Sequence, residues 1–325
     1  MAVPIPGINA YTYQVIVNKA TDTVYQSSPA FVRLSKNKRN TFRGGLFIQR
    51  PIIIGKLAGK AVGPGEGAPP EIVTTETALR VAMRLYLVNV PLLGFNAMQN
   101  DGDSAVFKEV DLKFANASAF MAEMLATDFY LPSSTAGRDR NLIGLEEWID
   151  DGNTFPAIGG VTRSDVATAG QVKGMNAYTT SSLTSFTLKD LNKACTQSWI
   201  GNKHVDMMIA TRNGWDMVWN SLQPMQQQVD RVSDTAIAGF ATIRVNQAEL
   251  VMDPYAPTGS GGRLWGLNTE AIEWYFAANP MFNLGFTGFK GTQLGIDTAG
   301  QFLAGNTLLV PGARTCFKLT SATLF

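Results

Sequence analysis

From Ser104 to Tyr130 the chain runs without a glycine or a proline, and Pro132 closes the run. Phe107, Val110, Phe114, Ala117, Met121 and Met124 recur within it at spacings of three and four, which marks one apolar stripe on a helix. Asp101 and Asp103 stand at its start, where the helix dipole favours negative charge. At 1.5 Å per residue the helix is roughly 40 Å long. The methionines of the stripe read as core filler, since a thioether fills irregular gaps well.

The segment before this helix reads as a long hairpin. Residues 46–57 are apolar and rich in isoleucine, and residues 63–70, GPGEGAPP, have the composition of a loop tip. Leu79, Val81, Met83, Leu85 and Leu87 then alternate with Arg80, Ala82, Arg84 and Tyr86, the period-two pattern of a strand with one apolar face. Twelve residues per strand give an arm of about 40 Å. A two-stranded ribbon of that length is not stable alone in water, so its apolar face needs something to lie on. An ordinary sheet would serve, but the Gly/Pro tip favours an extended projection. In the first 40 residues only Tyr11, Tyr13, Val15 and Val17 alternate, enough for one short strand. No sustained helical pattern precedes the hairpin, and this arm is expected to order only against a partner.

After Pro132 the elements shorten. Thr187 and Asp190 have the spacing of a capping box, opening a helix that reaches about Trp199. Residues 205–210 predict a buried strand, 212–222 a helix carrying Trp215 and Trp219, and 239–245 and 248–252 two further strands. Residues 282–287, 307–310 and 316–320 read as strands around a glycine-rich stretch that runs to Gly305. The fold class is therefore α+β.

Of the 325 residues 45% are hydrophobic and 16% charged, with a net charge of +1. Such a chain has ample core material and lacks the strongly basic character of a generic nucleic-acid binder. The near-neutral total hides a segregation: residues 1–60 hold nine of the 27 Lys and Arg but one of the 26 Asp and Glu. A basic arm on an acidic body can attract the body of an identical neighbour. Two cysteines, Cys195 and Cys316, cannot build a disulfide framework. The N-terminus lacks the basic-then-apolar pattern of a signal peptide, and no run approaches the length of a membrane span. A soluble intracellular product is expected, with no membrane contact.

Chemistry-bearing motifs are scarce. There is no phosphate-binding P-loop, no GxSxG elbow and no HExxH. Glu146, Glu147, Asp150 and Asp151 form the densest acidic cluster. Four carboxylates could hold a divalent cation through oxygen, and a carboxylate-dependent metal hydrolase is the reading they would support. They lack calcium-loop spacing, however, and an exposed turn before Gly152 accounts for them. Nucleophilic catalysis by either cysteine needs a base. The single histidine, His204, follows Cys195 by nine residues, with a helix and a turn between, so Cys195 reads as a buried structural thiol. No catalytic, cofactor-binding or metal-binding residue is assigned, and no cofactor is expected.

Residues 142–165 read LIGLEEWIDDGNTFPAIGGVTRSD. With Gly144, Leu145, Asp150, Asp151, Gly152, Gly159, Gly160, Thr162, Arg163 and Ser164, this resembles the segment that follows the spine helix in tailed-bacteriophage major capsid proteins. The order of arm, glycine/proline-tipped hairpin, long helix, compact unit and β-rich return is similar to that family along nearly the whole chain. The resemblance implies the phage major-capsid-type fold. Its parts would be an N-terminal arm (1–41), an extended hairpin (42–91), a peripheral domain with the spine helix (92–138) and an axial domain (139–265). Residues 266–325 would return to the peripheral domain.

The function so implied is self-assembly, through hexamers and pentamers, into an icosahedral shell that encloses phage double-stranded DNA without sequence-specific binding. The subunit would sit in the virion capsid after assembly in the host bacterial cytoplasm. An encapsulin compartment built on the same fold is the alternative. With no long helical segment before the hairpin, a separate scaffolding protein is expected, alongside a portal and possible cement proteins. The candidates for intersubunit contact are Lys36, Lys38, Arg39, Arg43, Lys56, Lys60, Glu66, Glu146, Glu147, Asp150 and Asp151. Some members cross-link subunits through a lysine and an asparagine. No motif ties Lys56 or Lys60 to Asn306 here, and no covalent linkage is expected.

Overall fold

In the computed structural model of the protein, the structure describes residues 28–37, 39–53, 60–67, 76–92, 103–163, 175–222, 242–257, 261–291 and 298–321. The long helix forms as the sequence predicts, as Asp103–Tyr130. Val110, Phe114, Ala117 and Met121 point into the core, as the stripe requires. The Phe114 ring meets Phe286 edge-on at 4.6 Å and Phe289 at 6.2 Å between centroids.

This helix lies on a six-stranded sheet. Its members are β1 (Arg39–Phe42), β4 (Arg84–Leu92), β12 (Glu273–Ala277), β13 (Asn283–Phe286), β14 (Lys290–Gly291) and β15 (Thr298–Leu309). β15 is the centre: it pairs antiparallel with β4, β12, β13 and β14. Residues 298–305 of the glycine-rich stretch, expected to separate strands, instead belong to this twelve-residue strand. Gly300 belongs there because a Cβ would sit 2.0 Å from the Phe286 ring; the missing side chain is the slot that ring occupies.

The hairpin differs from expectation in one respect. β2 (Ile48–Ile53) and β3 (Glu76–Val81) pair antiparallel as a two-stranded ribbon. The alternating run after it does not continue as one strand. Ala82 and Met83 leave the ladder, and β4 starts at Arg84 in the large sheet. The break reverses the facing: Leu79 and Val81 are buried, then Tyr86, Val88, Val90 and Leu92. Leu85 and Leu87, expected on the apolar face, are 55% and 43% exposed. A one-residue change of parity moves every later side chain to the other face. The described part of each ribbon strand is six residues, about 20 Å; the outer parts, including Lys56, lie outside the described residues.

The N-terminal region also departs from expectation. Residues 1–27, with the strand expected around Tyr11–Val17, lie outside the described residues, but Pro29–Asn37 is a helix, α1. Proline suits its first turn, where no donor is needed. Ala30, Phe31 and Leu34 share one side and are buried in the chain's own core. Phe31 meets Trp274 at 4.8 Å and Phe129 at 5.6 Å. Burying side chains of this size stabilises by about 1.5–3 kcal/mol each, enough to order a helix too short to stand alone. β1 follows at once, parallel to β12. This part of the arm is ordered by its own chain.

A second six-stranded sheet runs β7 (Tyr178–Leu183), β16 (Phe317–Ser321), β11 (Arg263–Leu267), β8 (Met207–Ala210), β10 (Ala248–Met252) and β9 (Thr242–Val245). The strand at the chain's end thus joins this sheet, and residues 266–321 serve both sheets. Counting the long helix as α2 and the short turn Leu145–Trp148 as α3, the helices α4 (Leu188–Ser198) and α5 (Arg212–Leu222) cover one face. Thr187 and Asp190 form the reciprocal capping box at the start of α4. β8 is buried on both faces. Met208 and Ala210 meet the helices, while Met207 and Ile209 join Trp265 in the core shared with the first sheet.

Candidate assembly surface

The acidic segment is built inward. Arg163, the arginine of the GGVTRS stretch, is 1% exposed. Its guanidinium donates to five backbone carbonyls. Nε reaches Phe155 O at 2.9 Å, Nη1 reaches Asp150 O at 3.3 Å and also Met175 O, and Nη2 reaches Glu147 O at 2.6 Å and Trp148 O at 3.1 Å. A planar fork with fixed donors suits such a set of acceptors, where an ammonium would not. Burial pushes its pKa down, and the charges of Asp150, Glu147 and Asp151 oppose that shift.

The carboxylates around it are spent on the chain's own donors. Glu147 accepts from Ser133 N at 2.9 Å, Ser133 Oγ at 3.0 Å and Ser134 N at 3.3 Å. Asp150, 2% exposed, accepts from Gly152 N, Phe155 N and Thr154 N at 2.9, 3.0 and 3.3 Å. Glu146 pairs with Arg263 at 3.2 Å and Lys318 at 3.4 Å, tying the turn to β11 and β16. Asp151 is only half-buried. Its burial would raise its pKa, but hydrogen bonds from Asn153 and Thr179 prevail and hold the carboxyl below the ordinary value. The exposed acidic turn expected before Gly152 is therefore corrected: the Glu147 and Asp150 carboxylates are buried because local backbone amides and the Ser133 hydroxyl satisfy them, while Arg163 ties down the main-chain carbonyls beside them. Among the described residues no group of three or more His, Cys, Asp and Glu is placed to hold a metal ion.

The same segment seats the hairpin. β5 (Ala157–Ile158) and β6 (Val161–Thr162) are joined by Gly159 and Gly160, both with positive φ, +57° and +80°. Two left-handed residues make the tight turn that matches strand twist. Gly159 O accepts from Arg80 N at 2.8 Å, and a Cβ on Gly159 would lie 2.4 Å from Leu79 Cδ1. The paired glycines of the motif are thus the point where the ribbon's base rests on the body. A second tether joins Arg50 to Glu273 at 2.8 Å.

The remaining candidates divide. Lys60 and Glu66 meet across the tip at 3.4 Å and are well exposed. Arg43 is exposed just after β1. Lys36 lies on α1 and Arg39 opens β1, opposite Trp274. Lys38 and Lys56 lie outside the described residues. Asn306 is 2% exposed within β15, out of reach of a partner's lysine.

Neither thiol is poised for nucleophilic chemistry. Burial pushes Cys195 up to about 11 and Cys316 up to about 12, so both stay protonated near neutrality. Cys195 and His204 do line one small crevice, closer in space than the intervening helix and turn suggested.

The uncovered surface is apolar and lies along β4. This strand pairs only with β15, so its other edge is free among the described residues. A groove of about 570 Å³ runs beside it, lined by Leu87–Pro91 together with Lys113, Asn116, Ala117 and Phe120 of α2. Phe120 is 54% exposed and Leu112, on the same helix, 72%. The sequence pattern hid this surface, because a continuous alternation placed Leu85 and Leu87 on the buried side. Lys113 caps the groove, donating to Pro91 O at 2.8 Å and pairing with Glu109 at 2.9 Å. At the base of the ribbon Leu46 and Phe47 are also open, 85% and 50% exposed.

No family model matches the chain, and no curated protein matches its sequence. Solved structures do. The cyanophage A-1(L) capsid subunit superposes with a TM-score of 0.62 at 11% identity, over 90% of this chain and 91% of that one. The SrpI encapsulin of Synechococcus elongatus PCC 7942 gives 0.56 at 11% identity, over 89% and 86%. The capsid of the myovirus XM1 gives 0.56 at 8% identity, over 89% and 92%. The chain therefore has the fold of phage capsid subunits and of an encapsulin shell.

Proposed function

We propose that the chain is a major capsid protein, the repeated subunit of an icosahedral shell around phage double-stranded DNA. One observation carries this reading: the likeness to shell subunits spans about nine-tenths of both chains. Residues 1–41 serve as the arm, 42–91 as the extended hairpin, 92–138 with most of 266–325 as the peripheral part, and 139–265 as the axial part, whose sheet β16 joins. The open apolar groove beside β4 and the ribbon, which has little support of its own, are complementary needs in a lattice of copies. Many weak contacts of this kind add up to a robust particle. Hexamers and pentamers, a separate scaffold, a portal and possible cement proteins complete the proposed assembly, in the cytoplasm of a bacterial host.

The encapsulin likeness favours a second reading, a compartment with protein cargo in place of DNA. Electron microscopy of the expressed protein, alone and with a candidate scaffold, tests the shell itself. Closed particles are expected, and strictly monomeric protein under every condition would refute both readings. Nuclease-protected DNA within particles from infected cells selects the capsid; a co-purifying enzyme cargo selects the compartment. Boiled in denaturant, the particles should run as one band at 35.1 kDa; a ladder would overturn the absence of cross-links.

A further inference from the structure

Asp253 follows β10 and is 1% exposed, yet among the described residues no basic side chain pairs with it. Its Oδ2 accepts from the hydroxyls of Ser28 and of Tyr130, the latter at 2.6 Å, and its Oδ1 accepts from Tyr255 N at 2.9 Å. These donors come from three places. Ser28 directly precedes α1 and is itself fully buried; Tyr130 is the last residue of α2; Tyr255 belongs to the turn after β10 in the second sheet. The Tyr130 ring is held in turn against Trp265 of β11 at 5.1 Å and Phe129 at 5.2 Å. A buried carboxylate without a cation is expensive and is tolerated only while its donors stay in place.

We infer that Asp253 is a latch that makes the docking of α1 conditional on the seating of the second sheet against the end of the long helix. The two hydroxyls share one oxygen, so a shift of the second sheet that moves Asp253 withdraws the acceptor from Ser28 and Tyr130 together. α1 then retains its apolar contacts through Phe31 and Leu34 but loses the bond that ties its first turn to Asp253, and its contact of Arg33 with Asp206, just before β8, at 4.0 Å moves with the second sheet. The coupling is reciprocal: releasing α1 must loosen the second sheet against the helix by the same factor. Burial raises the Asp253 carboxyl above the ordinary value, consistent with a charge the site resists. This coupling belongs to the single chain and does not depend on the shell reading.

The test uses the full chain carrying Ser28→Ala or Tyr130→Phe, each of which deletes one hydroxyl and keeps the apolar body. Two readouts apply: amide hydrogen exchange, and tryptic cleavage after Arg33 and Lys36. With the latch, Ser28→Ala should raise exchange in α1 and cleavage there about tenfold. It should also raise exchange at β10, to which the Ser28 hydroxyl is tied through Asp253, while β15 keeps its protection. Tyr130→Phe should produce the same paired change. Loosening of α1 alone, with β10 unchanged, overturns the inference, as does a uniform rise across both sheets or no change at all. Asp253→Asn, which keeps an acceptor but removes the charge, should leave α1 docked; release of α1 in that variant also counts against the latch.

Discussion

The hairpin and the segment 142–163 both stood out as contact regions in the sequence, and they fold in opposite ways. The acidic segment turns its charges inward: local amides and the Ser133 hydroxyl occupy the Glu147 and Asp150 carboxylates, and Arg163 holds the carbonyls around them. The hairpin region leaves apolar side chains open, with Leu46, Phe47, Leu85 and Leu87 all more than two-fifths exposed. Charge density was therefore a poor guide to which side chains lie exposed. A carboxylate with three donors of its own has no need of a partner, whereas an exposed leucine on a free-edged strand gains from one.

The largest effect that would break this contrast is on assembly. Deleting residues 63–70 should leave a soluble, folded subunit that forms no shells by electron microscopy; normal shells would mean the projection carries no contact. Next is Arg163→Ala, which removes the guanidinium from five carbonyls, of which Asp150 O keeps Ala177 N at 2.9 Å, and leaves Asp150 with Lys318, at 3.7 Å, as its remaining cation. It should cost about 3–5 kcal/mol in denaturant unfolding, and an unchanged midpoint would show the staple to be idle. Leu87→Ser with Phe120→Ser should do the reverse. Stability should shift by about 0.5 kcal/mol or less, as at other surface sites, while sedimentation shows assembly weakened at least tenfold. Smallest is Lys60→Ala at the tip. An exposed pair with Glu66 contributes at most about 1 kcal/mol, so the melting temperature should hardly move; a large drop would show that the tip is packed.

The acid side offers a finer probe of the inward segment. Because Asp151 has its pKa held below the ordinary value, its contribution is present above about pH 3.9 and fades as pH falls through its lowered folded value. Asp151→Asn should flatten that part of the stability profile, by lowering stability in the neutral range while leaving the most acidic range unchanged.

Several features were legible from residue pattern alone. The long helix, the capping box at Thr187 and Asp190, the helix Arg212–Leu222 and the strand Ala248–Met252 are local: spacing, caps and breakers specify them within one segment. The paired glycines 159 and 160 entered the reading only through the family resemblance, and their left-handed turn came from the structure. Contacts between distant segments were not readable in this way. Pro29–Asn37 is helical because Trp274 and Phe129 wait for Phe31, and neither lies nearby in sequence. Gly300 sits in a strand because Phe286 needs its space.

The amino-acid order thus determined where most helices and turns begin and end, because those depend on hydrogen bonds and side chains a few residues apart. Which side of β4 is wet, whether the acidic turn faces out, and where α1 rests were decided by tertiary structure. Each depends on which distant group arrives to cover an apolar face or satisfy a buried charge, and a periodic pattern carries no record of that partner.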